Sequence, residues 1–203
     1  MTKLIIALML ALTSTFANAQ LKGSGKTITK TYDYKNFNKV IFDDLDGKLE
    51  IEVGKPYSIT ITIDDNLSTI LTLVEHSDDK KLTIALKGNR NNKLYIEDTK
   101  IKVKITMPFL VEVSNNGNSG LTVTNINSKN FKSTNPANGS TTLSGIVDNL
   151  EVVCKSNGNL NAEKLKAKNA KVTCRGNGNA KVNAAYINES IKSGNGNIMN
   201  VYK

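Results

Sequence analysis

Five Asn-Gly steps at near-equal spacing constrain this chain more than any other feature in it. The glycines are Gly117, Gly139, Gly158, Gly178 and Gly196, separated by 22, 19, 20 and 18 residues. The asparagines before them are Asn116, Asn138, Asn157, Asn177 and Asn195. Recurrence at about 20 residues marks repeats stacked one on the last, each too short to bury an apolar face alone. The flanking positions align as well. Before each step run Val111, Phe131, Val152, Val172 and Ile191, then Val113, Ser133, Cys154, Cys174 and Ser193. After it come Leu121, Thr141, Leu160, Ala180 and Ile198, followed by Val123, Leu143, Ala162, Val182 and Asn200. Ile126, Ile146, Leu165 and Ala185 mark a third side. Alternate residues of a strand share a face, so these columns are expected to point inward. The predicted fold is all-β, a parallel β-solenoid of roughly triangular coils over residues 31–203, regular over 110–203 and irregular before it.

The Asn-Gly pairs are read as its corners. Glycine accepts positive φ and asparagine tolerates it, so Gly158 and Gly178 are expected in the left-handed region. Asparagines repeated at about 4.8 Å can also bond amide to amide along the stack. A ligand-facing polar ridge is the alternative reading of the same residues.

Residues 1–19 have the three parts of a secretory signal: Lys3, the apolar run LIIALMLAL, and Ala17-Asn18-Ala19 for cleavage. The apolar run is too short to span a bilayer, and no later run is long enough, so membrane insertion is not expected. Residues 20–30 (QLKGSGKTITK) read as a flexible leader. A single β domain then covers 31–203. Its first part, 31–109, holds irregular alternating strands such as Lys48–Val53 and Tyr57–Ile63, expected to cap the regular part. Met107-Pro108 marks the passage between the two.

The chemistry found is sparse. Cys154 and Cys174 fall in one column a rung apart, within the Cα separation of a disulfide. Two packed free thiols are the other reading, since stacked strands aim their Cβ vectors in parallel. His76 is the only histidine, which removes His-based triads and His-rich zinc sites. The doublets Asp43-Asp44, Asp64-Asp65 and Asp78-Asp79 lack the spacing of calcium loops and read as solvated turns. Glu112, Asp148, Glu151, Glu163 and Glu189 are the only acids after residue 109. Aligned by repeat, Glu151 stands beside Lys171 and Asp148 beside Lys168, which reads as charge pairing rather than a glycosidase dyad. No cofactor or metal is expected, and the chain reads as a non-enzyme.

The net charge of +9 is concentrated after residue 109, where 11 basic residues face 5 acidic ones. Solubility explains it, with attachment to an anionic envelope polymer as the alternative. Too few aromatics interleave with the lysines for nucleic acid.

The signal peptide, the passage Ile105-Thr-Met-Pro-Phe-Leu110 and the SNNGN, KSNGN, RGNGN and SGNGN corners together resemble the family called putative auto-transporter adhesin, head GIN domain. The resemblance covers nearly all of the mature chain. It implies a right-handed β-solenoid exported by a bacterium, and adhesion as a role, with no catalytic residues to carry over. The expected function is a non-enzymatic binding module for a glycan or other cell-surface ligand. An envelope scaffold that binds another protein and a carbohydrate-active enzyme are the alternatives. The location expected is the periplasm, the outer cell surface or the medium. The unpaired last strand offers an edge for a homodimer through the C-terminal end of the solenoid or for a partner strand, and a short twisted edge with net positive charge that stays monomeric is the other reading.

Overall fold

The computed structural model describes residues 21–87 and 96–202. The signal peptide expected at 1–19 lies outside them. Thirteen strands carry the described chain: β1 (Thr27–Tyr32), β2 (Lys39–Asp43), β3 (Gly47–Val53), β4 (Ser58–Asp64), β5 (Leu71–His76), β6 (Lys81–Leu86), β7 (Ile101–Met107), β8 (Glu112–Asn116), β9 (Gly120–Asn135), β10 (Thr141–Cys154), β11 (Leu160–Arg175), β12 (Ala180–Ser193) and β13 (Ile198–Asn200). Two short 3-10 turns, Asp65–Leu67 and Ser77–Asp79, are the only helical pieces among the described residues.

All thirteen strands belong to one sheet, curled into a half-barrel with mixed parallel and antiparallel neighbours. This corrects the expected right-handed parallel β-solenoid. β1 runs antiparallel to β4, β4 to β7, and β5 to β6. The reason lies in the connections. Gly54, at φ 87, turns the chain back after β3, and the turn Ser77–Lys80, with Lys80 at φ 50, closes a hairpin. A period-2 alternation carries no information about strand direction, so these reversals were hidden in it.

The repeat sets local register only. β9 to β13 pair in parallel, with Leu121, Thr141, Leu160, Ala180 and Ile198 opposite one another. Before the corners several expected positions move. Phe131 lies opposite Leu150 rather than Val152, and Val152 lies opposite Ser133. The inward position of that rung is Asn135, fully buried opposite Cys154. Asn135 is tolerated there because its Nδ2 donates to the Gly139 carbonyl at 2.6 Å. Asn115 does the same to Ser119 at 2.9 Å.

On the third side, Ile146 is 64% exposed and Gly145 occupies the position between Ile126 and Leu165. A Cβ at Gly145 would lie 2.1 Å from the Ile126 carbonyl oxygen, so only glycine fits. Val147 turns inward in place of Ile146. In β12 a register shift follows Ala170↔Ile187, the next pair being Lys171↔Glu189. Asn188 is the extra residue of this bulge, and every later residue changes face. Ile191 therefore lies opposite Thr173 on the outer side rather than inward.

The leader expected at 20–30 is held in place where it is described. Its residues 27–30 begin β1, and Asp64, fully buried, accepts the amides of Gly25 at 2.8 Å and Lys100 at 2.6 Å. The core runs unbroken through both parts. Phe37, Phe42 and many isoleucines fill the first, and leucine, valine and alanine most of the second.

Candidate functional site

Three rows of side chains run across the stacked strands, because equal register puts like positions one strand spacing apart. In the first, Asn149 Nδ2 donates to Asn130 Oδ1 at 2.9 Å and Asn169 Nδ2 to Asn149 Oδ1 at 3.0 Å. Each amide retains a second hydrogen and a second lone pair for another partner. Tyr186 takes the next position, opposite Asn169, and is 70% exposed. The second row alternates in charge: Glu112, Lys132, Glu151, Lys171 and Glu189 stand opposite one another in turn. Lys132 pairs with Glu151 at 3.1 Å and Lys171 with Glu189 at 2.7 Å. The hydrogen bond to Glu189 holds the Lys171 ammonium above the ordinary lysine range. Between the rows the buried Phe131, Leu150 and Ala170 lie beneath the backbone.

The two rows are the walls of an open groove of about 550 Å³ that runs from Val111 and Glu112 to Asn188. A second hollow, about 510 Å³, is lined by Asp43, Asp44, Asp46, Thr99 and the corner residues Asn116, Gly117 and Asn138. Its acids do not converge, and no group of three metal-ligating side chains occurs among the described residues.

The expected corner residues form the third row. Asn157 Nδ2 donates to Asn138 Oδ1 at 3.1 Å and Asn177 Nδ2 to Asn157 Oδ1 at 3.0 Å. Asn195 follows at the offset that pairs Arg175 with Ser193. Asn116 stands apart, accepting from Ser114 and donating to Asp43 at 3.5 Å. Gly158 and Gly178 are not at positive φ, contrary to expectation; the described glycines that are include Gly54, Gly145 and Gly194. Glycine is required at the corners by close approach instead. A Cβ would lie 2.4, 2.1, 2.1 and 2.0 Å from the carbonyl oxygen of the preceding corner at Gly139, Gly158, Gly178 and Gly196. Gly139 packs in this way on Ser119, so Ser119 rather than Gly117 is the equivalent residue of the first corner.

Cys154 and Cys174 are buried, opposite one another and free. A hydrogen bond to Cys174, and then burial, raises the Cys154 pKa above the ordinary thiol range. The ion pair Asp148–Lys168 forms at 2.7 Å as expected, whereas Glu151 is bonded by Lys132 rather than Lys171. The groove itself escaped the reading by corners. Its signal was present as Asn130, Asn149 and Asn169 at intervals of 19 and 20 residues, each directly before an inward apolar residue.

The fold is shared with known structures. One neighbour is a putative adhesin from Bacteroides fragilis NCTC 9343, 20% identical, with a TM-score of 0.63 over 89% of this chain and 100% of that one. Another is a putative lipid binding protein from Parabacteroides distasonis ATCC 8503, 17% identical, with a TM-score of 0.50 over 89% of this chain and 99% of that one. No curated protein matches the chain. The family model described as "Putative auto-transporter adhesin, head GIN domain" matches residues 36–201, nearly the whole of the strands and all of the groove, and the chain belongs to that family.

Proposed function

We propose that the chain is an exported, non-enzymatic binding module of the cell envelope, and that its ligand is an extended surface glycan lying in the groove across β9 to β12. The observation that carries this reading is the asparagine row Asn130, Asn149 and Asn169 on one wall, with the lysine–glutamate row on the other. Amides at one strand spacing offer repeated donors and acceptors along a line, which suits a polymer of hydroxyl-bearing units. The family description as an adhesin and the secretory pattern of residues 1–19 support the same role and an exported location. The name of the lipid-binding neighbour raises another ligand class. An acyl chain needs exposed apolar surface, and the side chains under the groove, Phe131, Leu150 and Ala170, are each only 2% exposed. Catalysis has little support, because Glu151 and Glu189 are engaged by lysines.

A panel of neutral and anionic oligosaccharides presented to the mature protein tests this, with release of reducing sugar followed in parallel. The expected result is retention of at least one glycan, its loss in Asn149→Trp, which fills the middle of the groove, and no sugar release. Retention of no glycan sinks the glycan reading, and sugar release sinks the non-enzymatic one.

A further inference from the structure

The groove is regular over three rungs and departs from that regularity at β12. There Tyr186 replaces the asparagine of the row, and the bulge adds Asn188 to the groove lining. We propose that Tyr186 and Asn188 form a stacking subsite for a neutral sugar ring at this end of the groove, an inference that rests on the glycan reading above.

Three observations converge on it. Tyr186 is 70% exposed and stands opposite Asn169 at the end of the row, just past the residues that line the groove. An aromatic ring meets the C–H face of a pyranose while its hydroxyl stays in water, and tyrosine loses little conformational freedom on binding. A β-bulge re-aims the side chain it inserts, and Asn188 is the inserted residue, exposed and lining the groove beside Lys171. Its amide can donate to and accept from a ring substituent of the sugar held on Tyr186.

The third observation is charge. The whole chain is basic at +9, yet the groove wall has two lysines, Lys132 and Lys171, against three glutamates, Glu112, Glu151 and Glu189. Both lysines are already bonded to glutamates of the row. An anionic chain would find both lysines of the groove already paired and Glu189 beside this end, so the sugar unit is neutral.

The test uses the mature protein, Y186A, Y186F and N188A in calorimetric titrations with cello-, chito- and manno-oligosaccharides, and oligogalacturonate as the anionic probe. The tightest neutral oligosaccharide is expected to lose affinity on the order of tenfold in Y186A and to keep it in Y186F, because the ring rather than the hydroxyl does the binding. Saturation transfer between that oligosaccharide and the Tyr186 ring in the unsubstituted protein gives the same answer without relying on a variant's folding. Unchanged neutral-glycan binding in Y186A, or no transfer to the ring, overturns the subsite and leaves the groove reading intact. Binding of oligogalacturonate alone overturns the neutral class. Binding of no saccharide removes the groove reading and the subsite with it.

Discussion

A Cβ on Gly178 would lie 2.1 Å from the Gly158 carbonyl oxygen, and real Cβ atoms do not approach that closely. The obstruction is backbone, so the corner itself would have to open. Gly178→Ala is expected to destabilise the protein by about 1–3 kcal/mol, the range for forcing extra volume into a packed site. Gly120 provides the control, since nothing lies within 4 Å of a Cβ placed there and its φ is not positive. Gly120→Ala is expected to melt like the parent, and thermal unfolding of the pair measures the difference. Equal melting of both variants would remove the stacking account. The need for glycine was legible in the Asn-Gly spacing, but its cause was not. Left-handed backbone and close stacking select the same residue, and only the distance to the preceding corner separates them. The buried Asn115 and Asn135 were hidden for a related reason. An amide turned inward to hold a corner carbonyl interrupts an apolar column and reads as a gap in it.

At the scale of the element, β1 shows how one side chain ties a strand to the sheet. It lies at the sheet edge, paired on one side only with β4. Just before it, the fully buried carboxylate of Asp64 takes the amides of Gly25 and Lys100, joining the start of β1 to the end of β4 and the approach to β7. Asp64→Ala would strand both donors, and the expected cost is about 3 kcal/mol, from two bonds to a charged acceptor. Denaturant unfolding measures it, and limited proteolysis is expected to cut earliest around Gly23 to Lys30. A variant as stable and as resistant as the parent would show that Asp64 does not hold this segment. In sequence Asp64-Asp65 reads as a solvated turn and 20–30 as a leader, because a doublet of acids beside asparagine looks the same whether one of them turns inward or not. β12 makes the converse point. Its bulge consists of one asparagine among several, and that single insertion turns Ile191 from the inward side to a place opposite Thr173.

Over the whole molecule, the all-β class was readable. The direction of the strands was not. Asn-Gly corners carry the chain onward and yield the parallel pairs from β9 to β13, while Gly54 and the Ser77–Lys80 turn reverse it and make the sheet mixed. The candidate groove was half visible. Its charged row appeared as pairs of Glu and Lys, but the asparagine row was masked by the more conspicuous asparagines of the corners.

The stacked corners have a consequence for the chemical ageing of the protein. Asparagine followed by glycine is the dipeptide most prone to deamidation: the glycine nitrogen attacks the asparagine side-chain carbonyl, ammonia leaves as the cyclic imide closes, and water then opens the imide to aspartate or isoaspartate. That nitrogen is held at three of the five steps: Gly139 N–H donates to Gly117 at 2.9 Å, Gly178 N–H to Ser156 at 3.0 Å and Gly196 N–H to Gly176 at 3.1 Å. Attack requires the backbone to rotate and break the bond, so Asn138, Asn177 and Asn195 are shielded for as long as the rungs stay stacked. Peptide mapping by mass spectrometry after prolonged incubation is expected to find these three asparagines intact in the folded protein and rapidly converted in urea. Equal rates in the two conditions would show that the corners give no protection. Conversion at Asn177 would place a carboxylate, or a backbone one carbon longer, within a row of bonded amides. A lost rung would then expose the next step to the same reaction, so that the repeat which orders the chain also sets the order in which it decays.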